Sequence, residues 1–290
     1  MDVNDFKESS NVEDRRSKRG GFGGSISLRS LIMLAPFIKM LLRTKFGWAI
    51  IAVGAFLYFS GVNPLAIISG GSSGSSTSHE NKEASFIKKV LTTTEEVWSR
   101  ELPKYGLRYY KPKLVLYRGH TTSGCGFASA QMGPFYCPAD QKVYLDLGFF
   151  DELAKRHNAP GDFAQAYVLA HEIGHHIQNL QGTLAKVQRI QQRFGNSPRA
   201  NALQVRVELQ ADCYSGVWAH HAQKKFRVLE PGDIEEALRA ASSIGDDTLQ
   251  KQAQGYVVPD SFTHGTSKQR VEWFKRGFLT GDLRACNTFK

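Results

Sequence analysis

Val168-Leu-Ala-His-Glu-Ile-Gly-His-His-Ile-Gln178 decides how the rest of the chain is read. Inside it, His171-Glu172-Ile173-Gly174-His175 is an H-E-x-x-H motif. On an α-helix, positions 171 and 175 lie about 40° apart around the axis, so both imidazoles share one face. Glu172 flanks that face, about 100° from His171 and about 60° from His175. Two imidazoles so placed can bind one Zn2+, and the carboxylate can reach a water on the metal without becoming a ligand.

The flanking residues predict the helix itself. Pro160-Gly161-Asp162 opens it, with Asp162 as the expected N-cap, and Gly182 closes it. Leu169, Ile173 and Ile177 form its apolar stripe. The histidine face is displaced from that stripe, so the ligands can project into a cleft while the helix is anchored behind them. A catalytic zinc takes three protein ligands and keeps one position for water. Were the third a histidine of the metzincin kind, Gly and His would stand at 178 and 181; both positions are Gln.

The alternative is a carboxylate on a second helix. Ser197-Pro198 starts one, with Ser as N-cap and Pro at the first position. Its apolar stripe is Leu203, Val207, Ala211, Tyr214 and Trp218. It also carries Glu208 and Asp212, one turn apart on a common face. Glu208 stands 33 residues beyond His175, room for a connecting segment and an antiparallel return. The reading is therefore a zinc held by His171, His175 and Glu208, with Asp212 accepting the free N–H of His171. Glu172 is the general base. His264 is the first candidate for stabilising the developing oxyanion, and Tyr144 or Tyr214 the next. His176, about 100° from His175, is assigned to packing.

The chain has 290 residues and 41% hydrophobic content, enough for a sizeable core. Its net charge of +10 is uneven: residues 1–45 hold nine Lys/Arg against five Asp/Glu, the remainder 28 against 22. A nucleic-acid face is not expected on the later part. Phe46 to Ile68 contains 23 residues without Asp, Glu, Lys or Arg, and a bilayer-spanning helix needs about 20. Basic residues precede it, so the positive-inside rule predicts a single-pass protein with a cytoplasmic N-terminus and a periplasmic or extracellular catalytic domain. A Gly/Ser run follows. The expected organisation is a basic cytoplasmic segment at 1–45, a transmembrane helix at 46–68, a linker at 69–82 and a metallopeptidase domain at 83–290.

In that domain, Phe86, Val90, Leu91, Val97 and Trp98 predict an amphipathic helix ended by Pro103. Leu114–Tyr117 and Lys142–Leu147 predict strands. Leu184, Val187, Ile190 and Phe194 predict a helix, Asp233 with Glu236 caps another, and Thr266-Ser267-Lys268-Gln269 forms a capping box for the last. Mostly helical elements with a small sheet define an α+β class. Export makes disulfides the favoured state of the four cysteines, with Cys125–Cys137 and Cys213–Cys286 the preferred pairing.

His171-Glu172-x-Gly174-His175-His176, Glu208-Leu-Gln-Ala-Asp212-Cys213 and His264-Gly-Thr-Ser together resemble the bacterial neutral zinc metallopeptidase family. The resemblance covers roughly residues 83–290 and implies a zincin-like fold and hydrolysis of peptide or protein substrates. Two alternatives stand beside peptide hydrolysis: a catalytically inactive, zinc-stabilised scaffold at the membrane, and hydrolysis of non-peptide amides in the cell envelope.

Overall fold

The computed structural model describes residues 1–17 and 78–290. The span expected at 46–68, the linker up to residue 77 and the basic positions from 18 to 45 lie outside the described residues. No described helix is long and apolar enough to cross a membrane.

Residues Met1–Arg16 and Ser78–Lys290 form one compact unit. Helix α1 (Ser78–Glu101) starts inside the expected linker and buries Ile87, Val90, Leu91, Val97 and Trp98. The sheet contains β1 (Val12–Asp14), β2 (Lys113–Tyr117), β5 (Phe135–Cys137) and β6 (Lys142–Asp146), in the order β1-β2-β6-β5. β1, β2 and β6 are parallel, and β5 runs antiparallel to β6. β3 (His120–Ser123) and β4 (Gly126–Ser129) form a separate hairpin. Helices α2 (Gly148–Arg156), α3 (Asp162–Leu180), α4 (Thr183–Phe194), α5 (Pro198–Phe226), α6 (Asp233–Ser243), α7 (Asp246–Gln254) and α8 (Ser267–Thr280) follow. The α+β, mostly helical class expected from the sequence is the one observed.

Alternation along the strands divides the core. Leu114, Leu116, Val143 and Leu145 pack with the helices, whereas Val115, Tyr117, Tyr144 and Cys137 form a small cluster on the opposite face. Helices α3 and α5 are brought together by Gly174. A Cβ at that position would stand 3.0 Å from the Cα and carbonyl oxygen of Ala211. Gly216 of α5 and Gly277 of α8 do the same for the second helix pair, where any Cβ would collide with the facing backbone.

Two capping expectations are corrected. Asp162 and Asp233 are not N-caps; Gly161 and Gly232 hold those positions, with no side-chain cap. The Met1 ammonium instead joins the two carboxylates, at 2.8 Å from Asp162 and 3.1 Å from Asp233, with Glu230 at 2.7 Å. Ser197 and the Thr266 capping box are found as expected.

The domain boundary at residue 83 is also corrected, since the N-terminal segment is structural. Met1 and Val3 enter the main core, and β1 pairs with β2 through Val12↔Leu114. Ser9 and Asn11 each donate to Oε1 of buried Glu95 at 2.8 Å, and Lys111 meets its other oxygen at 2.9 Å. Without those donors the Glu95 carboxylate loses part of its compensation for burial. Three residues are too short a run for a periodicity signal, so β1 escaped the sequence reading.

Candidate metal centre

The Gly174–Ala211 crossing places the H-E-x-x-H face of α3 against the Glu208 turn of α5. His171 Nε2 is 3.1 Å and His175 Nε2 3.4 Å from Glu208 Oε2. The three donor atoms all lie within 4.8 Å of one another. Ligand bonds of about 2.0–2.1 Å at tetrahedral angles separate donor atoms by roughly 3.4 Å, so the spacing fits a zinc ion. Two neutral imidazoles and one carboxylate are also a donor set that zinc accepts.

Each donor is oriented from behind. His171 Nδ1–H donates to Asp212 Oδ1 at 2.8 Å. His175 Nδ1–H donates to Gln178 Oε1 at 2.9 Å, and Gln178 is fixed in turn by donating to the Val207 carbonyl at 2.7 Å. Gln204 Nε2 donates to Glu208 Oε1 at 2.8 Å, which leaves Oε2 facing the histidines. Both imidazoles therefore present Nε2 to the same point. The sequence reading missed Gln178 and Gln204 as holders. Gln178 is three residues after His175 and Gln204 four before Glu208, so helical spacing carried the signal.

Asp212 is fully buried and accepts more than the histidine. The Tyr167 hydroxyl donates to Oδ1, and Arg270 donates Nε to Oδ2 at 2.9 Å and Nη2 to Oδ1 at 3.0 Å. Burial works against the Asp212 charge, but Arg270 and His171 outweigh it and hold the carboxyl at about 2. Burial also works against protonation of His171; Asp212 and Glu208 outweigh it and raise the imidazole to about 10. For His175 the Glu208 carboxylate likewise overcomes burial and raises the pKa.

Glu172 is buried beside the histidines and makes no hydrogen bond or ion pair among the described residues. It lines a cavity of ≈ 570 Å3 with His171, His175 and Glu208. Met132, Phe135, Phe149, Leu184 and Val187 give that cavity apolar walls, and His264 also borders it. His264 is half-exposed, its Nδ1 3.2 Å from Asp246 Oδ1. The backbone N–H groups of Thr263, His264 and Gly265 all donate to Asp246 Oδ2, which shapes the turn that presents His264.

Tyr144 does not belong to the site. It sits on the sheet face turned away from the helices, stacked on Phe135, and its hydroxyl donates to Asp140 Oδ2 at 2.6 Å. Tyr214 is also directed elsewhere, donating to Gln181 at 2.8 Å. His176 is a packing residue. Burial lowers its pKa to about 4, it accepts from the Tyr136 hydroxyl at 3.0 Å, and it donates to the Tyr110 carbonyl. Disulfides join Cys125 to Cys137 and Cys213 to Cys286, the preferred pairing; the second lies beside Asp212 and ties α5 to the C-terminal turn.

A family model described as "Putative neutral zinc metallopeptidase" matches residues 1–289. The chain belongs to this family. Among similar proteins, the uncharacterized YpfJ of Escherichia coli K12 is 48% identical over 291 residues, covering 98% of this chain and 96% of its own. Uncharacterized proteins Mb2605 of Mycobacterium bovis and Rv2575 of Mycobacterium tuberculosis are 44% identical over 207 residues, covering 68% of this chain and 67% of theirs. No solved structure matches the chain.

Proton linkage gives a measurable consequence. His171, raised from 6.5 to about 10, contributes stability that is complete below pH 6.5 and fades as pH climbs toward 10. Protein stripped of metal should thus lose thermal stability over that window. Zinc must displace protons from His171 and His175, so its affinity should increase with pH. Calorimetric titration in buffers of different ionisation enthalpy should show proton release; a pH-independent affinity without release would contradict the ligand set.

Proposed function

We propose that the protein is a zinc-dependent peptidase held at a membrane, with His171, His175 and Glu208 as metal ligands and Glu172 as general base. The observation that carries this reading is the convergence of three held donor atoms beside a buried carboxylate without a partner among the described residues. When bound, zinc would supply Lewis acidity, polarising a substrate carbonyl and acidifying water. Glu172 accepts a proton from the attacking water at its carboxylate and returns it to the leaving amide nitrogen. Doubly protonated, with its Nδ1–H held by Asp246, His264 donates from Nε2 to the oxygen on which charge develops. The apolar walls exclude water and seat a peptide side chain. Membership of the family supports the reaction class.

The placement of the domain outside the cytoplasm is part of the same proposal. Two disulfides support an oxidising compartment. The uncharged stretch 46–68 supports attachment to the membrane.

Glu172→Gln should retain zinc and lose hydrolysis of a peptide library by about 10²–10⁴-fold, the usual contribution of a general base. Wild-type turnover in that variant would refute the mechanism.

A further inference from the structure

Arg270 is a buried cation that the H-E-x-x-H logic does not require, yet it borders the cavity of the metal centre. Its guanidinium grips both oxygens of Asp212, at 2.9 and 3.0 Å. The remaining donors reach the Ile244 carbonyl and the Tyr167 hydroxyl, each at 3.2 Å, and Nη2 lies 3.5 Å from His171 Nδ1. Every polar partner of Arg270 is thus a group that fixes Asp212 or the wall behind it.

We infer that Arg270 is a positioning residue for the metal site, setting the Asp212 carboxylate so that Oδ1 holds His171 with Nε2 free for a ligand bond. This rests on the zinc reading. Asp212, on α5, is reached by three donors from two other helices: His171 and Tyr167 of α3, and Arg270 of α8. A carboxylate gripped on one edge by a planar fork has one orientation left for the histidine. The Gly216–Gly277 approach of α5 and α8 serves this placement, because it brings Arg270 to Asp212 without an intervening side chain. Lysine would keep the charge but not the two-pronged geometry.

The test is zinc affinity of the full-length protein by competition with a chromophoric chelator, together with the absorption spectrum of the Co2+-loaded form. Arg270→Gln should bind zinc about 10–100-fold more weakly, the usual effect of removing a group that orients a ligand. Its Co2+ spectrum should shift as His171 changes orientation. Arg270→Lys should share the loss, and it carries the test alone if the Gln variant does not fold. Affinity within about twofold of wild type in the folded variant, whatever its melting temperature, overturns the inference. Recovery of full affinity by Lys overturns it too, since charge alone would then suffice. Absence of zinc binding in the wild type would refute the zinc reading itself.

A separate observation concerns where the chain lies. β1 hydrogen-bonds along β2, and Arg16 Nη1 donates to the Glu80 carbonyl at 3.1 Å. Arg16 and Glu80 are therefore neighbours in the fold. We infer that residues 1–16 and 78–290 occupy the same compartment. A single crossing would part β1 from β2 and the Ser9 and Asn11 donors from Glu95. Cysteines introduced at exposed Asp5 and Lys268 of the full-length protein, treated in intact cells with a membrane-impermeant maleimide, should both react or both react only after permeabilisation. Labelling of one without the other overturns the inference.

Discussion

The closeness of α3 and α5 at Gly174 and Ala211 is the constraint on which the site depends. Any side chain at 174 would press on the Ala211 backbone, and the helices would have to part. His171 and His175 stand on either side of that glycine, and Glu208 and Asp212 on either side of Ala211. The approach that closes the core is therefore the approach that brings the three candidate donors together. Helix packing, not loop conformation, sets the donor spacing, and donors on two rigid elements hold their geometry with little reorganisation.

Charge balance is the second constraint. Glu172, Glu208 and Asp212 are all buried within one small volume. Three carboxylates there need compensation. Arg270 supplies one positive charge, and protonated imidazoles supply more until a metal displaces their protons. Asp212 and Glu208 raise the pKa of His171, and Glu208 that of His175, so protons on the imidazoles offset the carboxylate charge. A zinc ion would take over that role and leave both histidines neutral.

The grouping of His171, His175 and Glu208 was readable because each part of it is a helical spacing: 171 with 175, 208 with 212. A motif on one helix makes no statement about its neighbour, but two motifs with matching donor chemistry do. Arg270 was not readable, since it comes from α8 and meets Asp212 only through tertiary packing. Tyr144 was misread for want of one bit of information, the face of β6 that meets the helices. β-alternation put Val143 and Leu145 inward and sent Tyr144 to the other side. The N-terminal strand was hidden for a similar reason: its partner β2 lies about a hundred positions on, and three residues carry no pattern.

The most direct test of the account is zinc K-edge absorption on the zinc-loaded protein. The account predicts a first shell of nitrogen and oxygen at about 2.0–2.1 Å with outer-shell scattering from two imidazoles. It also predicts that one oxygen of that shell changes in Glu208→Gln. A shell containing sulfur at about 2.3 Å, or no bound zinc in a folded sample, would contradict it.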